Sequence, residues 1–329
     1  MSGFDFIAGH MRIIKSLRES IKNNMASHAY IFCGNRGSGR KLTAAAFARA
    51  LNCTDSTDGD SCGKCRSCRQ FDSGNSPDVF YVKAVKTKSI GVDDIREQIV
   101  EKVKTKPYSY DKKIFIVDMA DTMTVQAQNA LLKTLEEPPA YVVIILIAEN
   151  LENFLPTVLS RCVVMKFRPI PAAQVRKYLT EKCGIDSHDA VFYSEYCGGS
   201  IGEALRLSED SQFYAMREEA IKCLAVIDSM DTASAMLMAK DMEKYRGYPE
   251  LFDIMYMFYR DVLCYRLFKS PDRLIQKDKT DEIKIQAESL DENRIARRLE
   301  AIMNTKKQIK QNAGFQLSVE VLFMTVKEN

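Results

Sequence analysis

The sequence contains no apolar run approaching the ~18 residues that a membrane-crossing helix requires. Its start, Met1-Ser2-Gly3-Phe4-Asp5, lacks the charged stretch followed by an apolar core that marks a secretory leader, so neither a secreted nor a membrane-spanning protein is expected. An excess of one charge is missing as well. With 47 Lys+Arg against 44 Asp+Glu the net charge is +3, too small to mark a nucleic-acid binder by itself. Internal repeats and low-complexity segments are absent. Histidine is scarce, with three in 329 residues. His10 and His28 read as hydrogen-bonded residues near a sheet, and His188 lies in a polar helix start. None is near Ser160 or Cys162 in sequence, so those two read as turn-shaping residues rather than nucleophiles.

The hydrophobic content of 46% and charged content of 28% are those of a soluble globular chain. The length of 329 residues suggests two or three domains with substantial cores. Ten cysteines might suggest disulfides, but four cluster with metal-ligand spacing and six are scattered in apolar contexts, a usage that fits a reducing cytosol.

A glycine loop carries the most information. Gly34-Asn35-Arg36-Gly37-Ser38-Gly39-Arg40-Lys41 follows the apolar run Ala29-Tyr30-Ile31-Phe32-Cys33 and approximates G-x-x-x-x-G-K-[ST] between a strand and a helix. Gly34, Gly37 and Gly39 allow the backbone to form a nest of N–H donors. Arg40, however, stands at the lysine position and Lys41 at the hydroxyl position. The second change is the more severe: the hydroxyl supplies an oxygen to Mg²⁺, which an ammonium would repel. Sliding the register by one leaves Lys41 after Arg40 instead of after glycine. ATP binding is therefore not expected at this loop.

The surrounding chain alternates strand-like and helix-like segments. His28–Cys33, Asp78–Lys83, Ile114–Asp118, Val142–Ala148 and Val163–Phe167 are short apolar runs, as expected of strands buried on both faces. Lys41–Leu51, Val92–Lys104 and Thr124–Leu135 read as helices between them, which predicts a parallel sheet with right-handed crossovers. Arg168-Pro169-Ile170-Pro171 forms a rigid connector, and strand patterns largely end there. Residues 172–208 read as a small helical unit broken at Cys197-Gly198-Gly199, followed by long amphipathic helices. Leu251, Ile254, Met255, Phe258 and Val262 fall on one helical face, a core or interface stripe, while Lys306, Lys307 and Lys310 read as a solvated face. The expected division is 1–168, containing a metal module at 53–68, then 169–208 and 209–329.

Cys53-x8-Cys62-x2-Cys65-x2-Cys68 offers four thiolates in a Gly-, Ser- and Asp-rich loop. Zn²⁺ takes four tetrahedral ligands at ~2.3 Å from sulfur, and a C-x-x-C turn brings two sulfurs to one ion. Lys64, Arg66 and Arg69 would soften the charge of a tetrathiolate. Free thiols or a redox pair are the alternatives, but two overlapping C-x-x-C pairs with a fourth cysteine fit a closed structural zinc site better than a dithiol.

Ile114-Phe115-Ile116-Val117-Asp118 is an apolar strand ending in a carboxylate, as in the Mg²⁺-holding strand of P-loop NTPases. The same aspartate also reads as a helix or turn cap at a strand end, the more so with the metal-binding hydroxyl gone. Met119 occupies the position where an active ATPase of this broad class carries a water-orienting glutamate. Arg161, taken alone, reads as a surface arginine at a helix C-terminus.

Ala127-Gln128-Asn129-Ala130-Leu131-Leu132-Lys133-Thr134-Leu135-Glu136-Glu137-Pro138-Pro139 resembles a stretch typical of clamp-loader ATPase domains. So does Leu155-Pro156-Thr157-Val158-Leu159-Ser160-Arg161-Cys162, with its Ser-Arg-Cys motif. With the cysteine module after the P-loop helix, residues 4 to about 208 resemble the delta-prime family of bacterial DNA polymerase III, within the clamp-loader AAA+ proteins. The last third fits that family's helical collar by pattern, Asn312, Leu317 and Glu320 echoing its final helix.

The resemblance implies an α/β AAA+ P-loop NTPase-like domain with a parallel sheet and zinc module, a small helical lid and an all-α collar. It implies membership of the polymerase III holoenzyme, in a pentamer that opens the sliding clamp and places it on primed DNA. The partners it implies are gamma/tau-like motor subunits and a delta-like subunit, at the replisome of a bacterial cytoplasm, with no membrane. Delta-prime subunits are ATP-silent stators, so no intrinsic ATPase is expected and ATP is held only at a neighbouring subunit. Gly202 stands where motor subunits carry a phosphate-sensing arginine. Together with the changes at Arg40, Lys41 and Met119 it makes turnover by this chain hard to sustain. Arg161 matches the arginine projected into the neighbour's ATP site. Two rivals remain: an ATP-hydrolysing motor subunit with an unusual P-loop, which turnover by the purified chain would reveal, and a stand-alone zinc-dependent DNA-binding module, which strong salt-dependent DNA binding would reveal.

Overall fold

The structure, a computed structural model, describes residues 3–85 and 89–328. Five apolar runs form five parallel strands: β1 (Ala29–Gly34), β2 (Val79–Val82), β3 (Lys113–Val117), β4 (Val142–Ala148) and β5 (Val163–Phe167). Their order is β2-β3-β4-β1-β5. Every residue of β3 and β4 is buried, because helices cover both faces of a crossover-built sheet. The period of two sends Ile31, Phe115, Val117, Ile144 and Leu146 to one face, against Ile95, Ile99, Leu131 and Leu135. Phe32, Ile114, Ile116 and Ile145 go to the other, against Leu17, Phe47 and Ala48.

Strand ends fall within a residue of the runs expected. β3 begins at Lys113 because that buried ammonium is satisfied: its Nζ donates to the carbonyls of Lys102 and Thr105 at 2.8 and 2.9 Å. The helix expected over 92–104 is interrupted. A π-helical stretch, Arg96–Val100, lies between the α-helical pieces Val92–Ile95 and Glu101–Val103. Asp78, fully buried before β2, accepts the backbone N–H groups of Tyr108, Ser109 and Tyr110 at 2.6, 2.8 and 3.0 Å and so anchors the loop leading to β3.

The chain divides into two compact units, Met1–Tyr178 with Cys197–Glu203, and Leu179–Tyr196 with Ala204–Asn329. In the second unit the described residues contain helices and no strand. Leu251, Ile254, Met255, Phe258 and Val262 are buried on the helix Glu250–Phe268, as their spacing suggests. Lys307 and Lys310 are exposed, but Lys306 departs from the solvated face expected of it and pairs with Asp253 of the helix Glu250–Phe268. No described helix is long and apolar enough to cross a membrane.

A buried arginine organises this unit. Arg298 is fully buried, pairs with Asp228 through both terminal nitrogens and donates to the Tyr259 hydroxyl at 3.0 Å. Alanine at 298 would remove the side chain from a packed core and leave Asp228 and Tyr259 without their donor. Arg298→Ala is therefore expected to cost about 3 kcal/mol, read as a lower urea midpoint of the second unit with an unchanged m-value.

Candidate functional site

β1 ends at Gly34, and the loop reaches the helix Arg40–Leu51 through Gly37 at φ 73° and Gly39 at φ 89°, the latter capping that helix. Positive φ at both positions is the conformation glycine adopts at no steric cost. The side chains after the glycines turn away to partners in their own chain. Arg40 is buried, donates to the Ala148 carbonyl at the end of β4, and lies 3.4 Å from Glu149 Oε1. Lys41 Nζ sits 2.5 Å from Asp118 Oδ2. Asp118 Oδ1 accepts the Met119 N–H at 3.0 Å, so the carboxylate at the end of β3 caps its own turn and pairs with an ammonium. Met119 is left-handed at φ 49° and 54% exposed. Its thioether has no carboxylate oxygen with which to orient a water.

The stretch Cys197–Glu203 belongs to the same compact unit as the loop and engages its tip. Ser200 Oγ donates to the Arg36 carbonyl at 2.8 Å, and the Gly202 N–H donates to the Gly37 carbonyl at 2.9 Å. A Cβ on Gly202 would lie 2.8 Å from Gly37 O, and one on Gly37 would collide with Ser200 Oγ and the Glu203 nitrogen. Both glycines are thus required by close backbone approach. On the other side of the loop His10 Nε2 lies 3.0 Å from the Ser38 carbonyl. Burial pushes the His10 pKa down against the opposing effect of that carbonyl. His28 differs from expectation, because its Nε2 is buried without a hydrogen-bond partner. Its carbonyl makes the bond, accepting from the Ile144 N–H at 2.8 Å as β1 begins beside β4. Ser200 was not singled out from sequence, and no local signal marks a residue so distant from the loop it touches.

Arg161 follows the short helix Pro156–Leu159. Its Nη1 donates to the Thr157 carbonyl at 2.9 Å and to Ser160 Oγ at 3.2 Å, and its Nη2 lies 2.9 Å from Glu136 Oε1. The side chain remains 35% exposed. Gln128 positions the approach to this helix. Buried on the helix Val125–Glu136, it donates to the Asn153 carbonyl at 2.8 Å and accepts the Leu155 N–H at 2.8 Å. Burial pushes the Cys162 thiol up to about 12, which keeps it an unreactive thiol at neutral pH.

Cys53, Cys62, Cys65 and Cys68 place their sulfurs within 4.8 Å of one another. Four sulfurs held tetrahedrally at ~2.3 Å from a metal are separated by about 3.8 Å. Cys53 lies 3.9 Å from Cys65 and 3.7 Å from Cys68, sulfur to sulfur. Backbone N–H groups of Cys62, Cys65 and Cys68 point at the sulfurs of Cys53, Cys62 and Cys65 at 3.3–3.4 Å. Burial disfavours the Cys65 thiolate, but donors from Cys68 and Thr54 prevail and bring its pKa down to about 6. The four residues could hold one metal ion. The loop is tied to the sheet domain by Asp60, which accepts from the Phe4 N–H and Arg18, and by Arg49, which donates to Ser61 and Asp72.

A parallel sheet whose first strand runs through a glycine loop into a helix N-terminus defines a P-loop NTPase-like domain. The profile of the family described as "DNA polymerase III, delta subunit" matches residues 9–171, and that described as "DNA polymerase III, delta subunit, C terminal" matches residues 211–325. The chain belongs to the clamp-loader delta' subunit family of DNA polymerase III. It is 29% identical over 324 residues to DNA polymerase III subunit delta' of Bacillus subtilis (strain 168), covering 96% of each. It is 28% identical over 307 residues to DNA polymerase III subunit tau of the same organism, covering 85% of this chain but 53% of that longer protein. A solved gamma-subunit-related protein of Thermotoga maritima aligns with a TM-score of 0.46 and 18% identity, covering 95% of this chain and 98% of its own.

Proposed function

We propose that this chain is an ATP-silent stator of a clamp loader, assembling with gamma/tau-like motor subunits and a delta-like subunit and supplying Arg161 to a neighbouring subunit's ATP site. The pairing of Lys41 with Asp118 at 2.5 Å carries the reading. In an active site of this class a hydroxyl and a carboxylate face Mg²⁺ from these two positions; here an ammonium already neutralises the carboxylate. Arg40, at the position of the phosphate-binding lysine, is buried and drawn to the Ala148 carbonyl. The contact of Ser200 and Gly202 with Arg36 and Gly37 supports the same view, because it holds the loop against its own chain.

In this reading residues 1–168, 169–208 and 209–329 act as nucleotide-domain, lid and collar, and the cysteine cluster holds a structural Zn²⁺. The complex meets the sliding clamp and primed DNA at the replisome. The test is direct. Purified chain with ATP and Mg²⁺ is expected to show neither turnover nor a nucleotide-dependent rise in melting temperature. Either response would favour an ATP-hydrolysing motor subunit with an unusual loop.

A further inference from the structure

We propose that Glu136 is the positioning residue for Arg161. The inference rests on the arginine-finger reading and adds to it how the guanidinium is aimed. Glu136 is the last residue of the helix Val125–Glu136. There its carboxylate faces the negative end of the helix dipole, where a cation is the favoured occupant. Lys133, in the last turn, is such a cation; Glu136 is not. A carboxylate that its own helix disfavours points to a role outside the helix, and its partner is Arg161, 2.9 Å from Oε1.

The other contacts of the guanidinium complete a cradle. Nη1 donates to the Thr157 carbonyl at 2.9 Å and to Ser160 Oγ at 3.2 Å. Ser160 Oγ in turn donates to the same Thr157 carbonyl at 3.1 Å. The short helix and its serine thus hold one terminal nitrogen, and Glu136 holds the other. The Nη1 hydrogen bonds use two of the five N–H donors of a guanidinium, and the ion pair with Glu136 fixes the direction of Nη2. An otherwise flexible side chain is thereby held in one orientation before any partner arrives. Such pre-organisation raises the rate of a positioned reaction without adding substrate affinity. The segment carrying Arg161 is itself fixed to the helix of Glu136 by Gln128, which accepts the Leu155 N–H at 2.8 Å.

The test uses the full chain reassembled with motor subunits, with DNA-stimulated ATP turnover as the readout. Glu136→Ala is expected to lower kcat by about fivefold at the site Arg161 serves, with KM for ATP unchanged. Glu136→Gln, which keeps an acceptor oxygen at the same reach, is expected to restore most of that loss. The melting temperature of Glu136→Ala should change little, since losing an exposed pair worth about 1 kcal/mol or less is offset by removing an unfavourably placed charge; this separates positioning from a structural role. A Glu136→Ala rate at or above wild type overturns the proposal, for it would make the carboxylate a bystander or a competitor of the phosphate. Arg161→Ala measured beside it distinguishes the failures. If that variant keeps the wild-type rate, the finger reading falls and this proposal with it; if its rate collapses while Glu136→Ala stays at wild type, only the positioning role fails.

Discussion

Arg161→Ala is expected to leave the chain folded and able to join motor subunits, while lowering ATP turnover at the neighbouring site it serves by on the order of 10³-fold. The structural cost is small because the side chain is 35% exposed and its Glu136 pair lies at the surface; such pairs contribute about 1 kcal/mol or less. The kinetic effect is large because a guanidinium placed against a transferring phosphoryl group neutralises charge that develops only in the transition state. Arg161→Lys should recover little, since a point ammonium cannot reach the Thr157 carbonyl, Glu136 and a phosphate oxygen with one planar fork. The measurements are turnover of the reassembled complex with and without primed DNA, and the melting temperature of each variant. An unchanged turnover in a complex of wild-type composition would remove Arg161 from the neighbour's chemistry.

The parts legible in the sequence are those whose physics is local. β4 coincides with its apolar run, Val142–Ala148, because a strand buried on both faces has no polar alternation to blur its ends. The cysteine spacing was sufficient to bring four sulfurs together, since a C-x-x-C turn needs little help from the rest of the fold. What depended on distant partners was hidden. Lys41 could be read as hostile to Mg²⁺, but its pairing with Asp118 depends on where β3 ends beside the loop. The capping of Arg36 and Gly37 by Ser200 and Gly202 joins residues more than 160 positions apart in the chain. The burial of Arg298 depends on Asp228 and Tyr259, 70 and 39 positions away in the chain, and no local pattern marks it. The π-helical stretch Arg96–Val100 left no mark on the helical periodicity around it.

Protein purified under reducing conditions without chelator is expected to carry about one Zn²⁺ per chain, and Cys62→Ser or Cys65→Ser to lose it. Structural zinc sites in isolated peptides bind with ~10 kcal/mol or more, and that energy appears as folding energy for whatever the metal orders. Here the metal's reach is bounded by identifiable contacts. Asp60 ties the loop to Phe4 and Arg18, so the helix Met11–Lys22 need not unfold when the metal leaves. Arg49 is the vulnerable link: 2% exposed on the helix that follows the glycine loop, it directs its guanidinium to Ser61 on the cysteine module and to Asp72 at the end of the helix Arg66–Asp72 that leaves it. If the module opens, a buried cation loses its partners, and the strain falls on the helix that frames the loop. The expected result is therefore rapid proteolysis within 53–72 and faster amide exchange in the helix Arg40–Leu51, while β3 and β4 stay protected. Zinc-free protein with wild-type proteolysis and exchange would show that the four cysteines are only neighbours.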